Sequence, residues 1–217
     1  MFAGIEVARI LDGNPSPCAL KFPHRLTMRF RRGALRGDWP SPRKDADMRI
    51  EYIRTLKGDN IYHDAPVLVM QLALEDLAGK ETHEVTGFTS RLLTMLPGIK
   101  QHYCGRGRTG ELIEPTPTAI GFGQVTARVA LELATLAGVP VHDACVVHPD
   151  GPARCRIAIE FKDESVMRFL LHTAVELVDG LSHGETPPLN ARIAEARQLI
   201  ERSGPRSRAS AGAGQWL

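Results

Sequence analysis

TAIGFGQVTARVALELATLAGVPVHDACVVHPDGPARCRIAIEF, residues 118–161, decides the fold class of this chain. Its first half places Val125, Val129, Leu133 and Leu136 at helical spacing, which predicts a helix from about Thr118 to Ala137. Thr118 is a candidate cap, and Gly138 followed by Pro140 supplies the stop. The second half holds two strand-like runs, Val141–His148 and Arg154–Phe161. Pro149-Asp150-Gly151-Pro152 lies between them as turn chemistry, so the two runs are expected to pair as an antiparallel hairpin.

The flanks repeat that logic. Met48–Leu56 alternates apolar and polar side chains at Ile50, Tyr52 or Ile53, and Leu56, with one irregularity, and Lys57-Gly58-Asp59-Asn60 follows as a turn. Pro66–Leu74 (PVLVMQLAL) is rich in β-branched and apolar residues and reads as a central strand with proline at its first position. Phe88, Leu92, Leu93 and Leu96 predict a helix that Pro97-Gly98 ends. Beyond the hairpin, Lys162–Leu181 reads as a helix capped by Asp163, with Val166, Phe169, Leu170, Ala174, Leu177 and Val178 on its buried side. Pro188–Ser203 is a more polar helix. The order β-β-α-loop-α-β-β-α-α predicts an α+β domain, a mostly antiparallel sheet with helices packed on one face.

This regular part is expected to span residues 48–182 as one domain, with residues 183–203 as a C-terminal helix. Residues 1–47 hold Asn14-Pro15-Ser16-Pro17, Trp39-Pro40-Ser41-Pro42 and an arginine cluster (Arg29, Arg31, Arg32, Arg36), and they read as a poorly ordered basic leader or an upstream start. Residues 204–217, rich in Ser, Ala, Gly and Arg, read as a mobile tail. The net charge of +2 comes from these ends: residues 1–47 carry nine Lys/Arg against five Asp/Glu, which leaves the foldable part mildly acidic. Nucleic-acid binding is therefore not expected. The chain has no apolar run long enough for a bilayer and no signal-peptide core, so no membrane role is expected. Cys18, Cys104, Cys145 and Cys155 form no CxxC pair, which fits reduced thiols and a cytoplasmic location.

Several segments together resemble the N-terminal domain of cyanophycin synthetase, the ligase that builds a poly-aspartate chain bearing arginine on each side chain. They are Arg54-Thr55-Leu56-Lys57-Gly58-Asp59-Asn60, Gly87-Phe88 through Leu96-Pro97-Gly98, Gln101-His102-Tyr103-Cys104 and, most clearly, Gly123 through Ala137-Gly138 (GQVTARVALELATLAG). The last is similar to the family's GHVIEHVALELQNLAG. The likeness runs from Met48 to Leu181. In the complete synthetases an ATP-grasp domain and a Mur-ligase-like domain follow. With Leu217 as the last residue and no GxxxxGK[ST] loop, amide-bond formation is not expected of this polypeptide.

The resemblance also implies a metal motif in many relatives. There the long helix carries HxxEH, two histidines four apart that share zinc and a glutamate that activates water. Aligned on Val129–Leu133, those three positions are Gln124, Ala127 and Arg128 here. Gln is a poor zinc ligand, Ala has no base and Arg brings a permanent positive charge. No metal, no cofactor and no catalytic residue is therefore expected. His102 with Cys104, and His142 with His148, read as loop or structural residues.

What remains is binding chemistry. Gly105-Arg106-Gly107-Arg108 combines glycines that let a ligand approach the backbone with two arginines that can each grip a carboxylate bidentately. Arg106, Arg108, Arg128, Gln124 and Glu111 are the candidate substrate-binding residues; an ordinary solvated basic loop is the alternative. Glu114 and Glu132 are further carboxylates that could meet guanidinium groups. The expected ligand is a charged peptide such as a cyanophycin-like polymer, and a separately encoded ATP-grasp ligase is an expected partner; a homo-oligomer is left open. The expected function is thus a non-catalytic accessory or binding module. Two competing classes are a hydrolase or other enzyme at a repurposed cleft, built for instance on His102 or Glu111, and a subunit acting through protein contacts alone.

Overall fold

A computed structural model describes residues 46–62, 64–101, 121–141, 144–148 and 151–203. The leader up to residue 45, the Gly105–Arg108 loop and the tail from residue 204 lie outside the described residues. Four strands, β1 (Arg49–Leu56), β2 (Val67–Ala73), β3 (Ala144–Val147) and β4 (Arg154–Glu160), form one sheet in the order β1-β2-β4-β3. Every pairing is antiparallel. Four helices, α1 (Phe88–Met95), α2 (Phe122–Ala137), α3 (Glu164–Ser182) and α4 (Leu189–Ser203), complete the α+β architecture. No helix among the described residues is long and apolar enough to cross a membrane.

The strand patterns decide which face the helices cover. Leu68, Met70 and Leu72 of β2 and Cys155, Ile157 and Ile159 of β4 point into one continuous core with α2 and α3. β2 is buried along its whole length, as expected of a central strand. On β1 strict alternation breaks between Ile50 and Tyr52. The bulge sets Glu51 and Tyr52 together on the far face, while Ile50 and Ile53 both reach the helix side. That bulge is the irregularity legible in MRIEYIRTL. Leu56 joins the opposite face, where it packs on a small second cluster of Tyr62, Val67, Val69 and Ala158.

Helix α2 starts at Phe122, after Gly121 in an extended conformation, rather than near Thr118. Gly138 ends it in the left-handed region at φ +85°, with its N–H bonded to the carbonyls of Ala134 and Thr135. Twelve of its sixteen residues are buried, so it is enclosed rather than half-exposed. Leu136 departs from the expected stripe: it is 37% exposed, and Ala137 takes the buried place instead. Two contacts seat the helix. Phe122 meets Phe88 of α1 edge to face at 5.1 Å between ring centroids. Gly123 lies against β4, where a Cβ would come within 2.7 Å of Cys155 Sγ.

Helix α3 begins at the expected cap, where Asp163 accepts a hydrogen bond from the Val166 N–H at 3.0 Å. All six residues expected on its buried side are buried. Near its C-terminus the buried Asp179 carboxylate accepts from the Met48 N–H at 3.0 Å, which fixes the entry to β1. The loop between β1 and β2 is organised by one side chain. Asn60 donates to the carbonyls of Gly58 and Ala65 and accepts from the Tyr62 N–H, each at 2.9 Å. Gly58 takes φ +67°, as its turn chemistry requires.

Two outcomes follow from this packing. Gly123→Ala is expected to cost about 1–3 kcal/mol, because the added methyl must push helix or strand apart; the shift of the denaturant midpoint measures it. His172 on α3 has its pKa lowered from 6.5 to about 4, first by burial and second by the Arg168 charge. The unfolded chain then binds a proton that the folded chain refuses. Stability is expected to fall by about 2 kcal/mol as pH drops from 6.5 towards 4, a figure reduced for the ring's partial exposure. Denaturation of wild type and His172→Gln across that range isolates this share, which the variant should lack.

Candidate functional site

Helix α2 carries the positions where a metal motif would sit, and their surroundings are now explicit. Ala127 is only 2% exposed and belongs to the main core. Gln124 and Arg128 are half-buried and four residues apart, so they share one side of the helix. Glu132 continues that line. It is 6% exposed, so the carboxylate that the sequence offered to a guanidinium group is enclosed. Its carboxylate presses on Gly98, in the turn Pro97–Gln101, where any Cβ would collide with it. The line offers an amide, a guanidinium and an enclosed carboxylate, groups that hold polar ligands but do not make a zinc site. Among the described residues no group of three or more His, Cys, Asp or Glu side chains could hold a metal ion.

The other sequence candidates divide as follows. Arg106, Arg108, Glu111 and Glu114, with His102, Cys104 and His142, lie outside the described residues. His148 is exposed at the end of β3, with Nδ1 at 3.3 Å from the Arg154 carbonyl. Cys155 is buried in the core, and burial pushes its thiol up to about 12, which makes it inert as a nucleophile at neutral pH.

Sequence reasoning missed a second polar assembly, on the face of the sheet away from the helices. At its centre is Gln71, the one polar side chain in β2. The Gln71 Oε1 accepts from Tyr52 Oη and from Arg156 Nε, both at 2.8 Å, and Nε2 donates to Glu51. The other Glu51 oxygen accepts from Arg154 Nε at 3.0 Å. The Arg54 guanidinium lies 4.1 Å from the centre of the Tyr52 ring. The Gln71 hydrogen bond, followed by Arg154, holds the Glu51 carboxyl below its ordinary pKa, so it is ionised at neutral pH. Burial, partly opposed by Arg156, raises the Tyr62 hydroxyl above its usual value and keeps it protonated. The available signal was a lone glutamine in VLVMQLA opposite the alternating Arg154 and Arg156 of RCRIAIE.

Comparison with known proteins follows the same segments. A family model described as "Cyanophycin synthase-like N-terminal domain" matches residues 69–183. Cyanophycin synthetase of Crocosphaera subtropica is 33% identical over 144 residues, which cover 65% of this chain and 16% of that relative. The cyanophycin synthetase of Trichormus variabilis is 32% identical over 136 residues, 62% of this chain and 15% of the relative. That of Geminocystis herdmanii is 29% identical over 136 residues. The chain thus matches about 16% of the length of these relatives. With α2, the hairpin and α3 all inside the matched region, the chain belongs to the cyanophycin synthase-like N-terminal domain family.

Proposed function

We propose that this chain is a non-catalytic binding module that docks a charged aspartyl- and arginyl-bearing peptide in the cytoplasm, alone or beside a separately encoded ATP-grasp ligase. The observation that carries the reading is helix α2. Where related domains resemble HxxEH, it holds the amide of Gln124, the core methyl of Ala127 and the guanidinium of Arg128. A cation at Arg128 disfavours zinc and favours a carboxylate, and a methyl group cannot take a proton from water. The relatives are named for making cyanophycin, which supports a ligand of that chemistry. Arg106, Arg108 and Glu111 are proposed to add contacts from the segment that precedes α2.

Calorimetric titration of the purified chain with short β-aspartyl-arginine peptides tests this. Saturable binding that weakens as salt rises is expected, because exposed ionic contacts are screened. Arg106→Ala/Arg108→Ala should bind more weakly, and metal analysis of the same sample should find zinc far below one per chain. Absence of binding, or stoichiometric zinc with release of peptide fragments, would overturn the reading.

A further inference from the structure

The open face of the sheet has a structure that the docking reading does not by itself explain. Its register sets three rows across β1, β2 and β4: Arg49–Ala73–Arg154, Tyr52–Gln71–Arg156 and Arg54–Val69–Ala158. The bulge adds Glu51 beside Tyr52. Arg49, Arg154 and Arg156 thus share one end of this face, with Arg54 one row further along. Among the described residues the acids at that end are Glu51 and Glu75, which pairs with Arg49 at 3.3 Å. Glu160, the remaining acid on this side of β4, lies opposite Val67, one row beyond Arg54 and three from Arg154. The patch carries a positive excess on a domain that is mildly acidic as a whole.

The arginines are also held. Arg154 is tied to Glu51, and Arg156 to Gln71, through Nε in both cases. Arg54 lies on the Tyr52 ring. An Nε tether fixes the guanidinium plane while directing the two Nη groups elsewhere, and little side-chain entropy is then left to lose when an anion arrives. The Arg154 side chain is 50% exposed and that of Arg49 is 51% exposed, so both remain within reach of a ligand.

We infer that this end of the open sheet face holds the carboxylates of the docked peptide, with Arg49 and Arg154 as its outer grips and Arg156 as the inner one. The inference rests on the docking reading and assigns it a place. Arg154 and Arg156 are alternate residues of one strand, so they stand about 7 Å apart, the spacing of carboxylates on alternate residues of an extended chain. Glu51, ionised among the arginines, faces any guanidinium the ligand carries. A ligand of both signs fits this mixture of charges. A nucleic acid would set uniform phosphate charge against Glu51 and Glu75, and of the two described rings on this face Tyr52 is already covered by Arg54 and Tyr62 is buried.

The test is calorimetric titration of the full chain with the same β-aspartyl-arginine peptides and with a single-stranded oligonucleotide. Arg49→Ala/Arg154→Ala removes two half-exposed side chains and should leave the thermal midpoint nearly unchanged while weakening peptide binding about tenfold or more. Arg154→Lys, which keeps the charge without the fork, should bind between the two and serves if the double variant fails to fold. Unaltered affinity in both variants overturns the inference and leaves the docking reading standing. No binding by wild type overturns that reading too. An oligonucleotide that binds as tightly as the peptide overturns the choice of ligand.

Discussion

Enclosure of helix α2 is the constraint on which the rest of the fold depends. A helix buried on twelve of sixteen positions has no stripe to give to water, so each flank needs its own cover. The sheet supplies one side, through Gly123 against Cys155. Helix α3 runs along another, and α1 with the Pro97–Gln101 turn closes a third through Phe88 and Gly98. Two glycines matter here for the same reason. At these points backbone approaches a neighbour so closely that a single methyl group would separate the layers. Helix α4, with only Ile193 and Ala196 buried, contributes a lid rather than a layer.

Polar chemistry is sorted by this arrangement. On the helix side two carboxylates have partners built in: Asp179 accepts the Met48 N–H, and Glu164 is held by Thr55 and Arg168. The Glu164 carboxyl is lowered first by the Thr55 hydroxyl and then by Arg168. On the far face the charges are more exposed and linked into a chain from Arg54 through Tyr52 and Gln71 to Arg156. The first pattern fastens elements together. The second leaves guanidinium groups oriented at the surface, the condition under which a surface recognises a ligand by charge and shape together.

Much of the fold was legible because it was written in periodicity. Strand β2, the Asp163 cap and the Gly138 stop follow from the residue types themselves, and their physics is local. What was not legible needed tertiary placement. The sequence stripe put Leu136 inside, but helical drift carried it outside and brought Ala137 in. Glu132 read as a carboxylate open to a guanidinium group because nothing in the string reveals that Gly98 will lie against it. The loss of metal chemistry could be read one residue at a time, at Gln124, Ala127 and Arg128, since it concerns ligand types and not positions. The arginine assembly could not be, because it is made by register: Arg154 and Glu51 are 103 residues apart and meet only once β1, β2 and β4 are aligned.

Asn60 ties the loop that seats Tyr62 over the small outer cluster, and that cluster shares no side chain with the main core. The two sides of the sheet are therefore unequal in depth. One is covered by α2 and α3 side by side, while on the other a loop held by the Asn60 amide covers the small outer cluster. Opening of that loop exposes Val67, Val69 and Ala158 without separating any helix from the sheet, a partial unfolding far smaller than the global one. In solution the backbone amides of the loop should trade hydrogen with water long before those of α2 or α3. The protein then has a face that breathes, next to a face that stays shut until the whole domain melts.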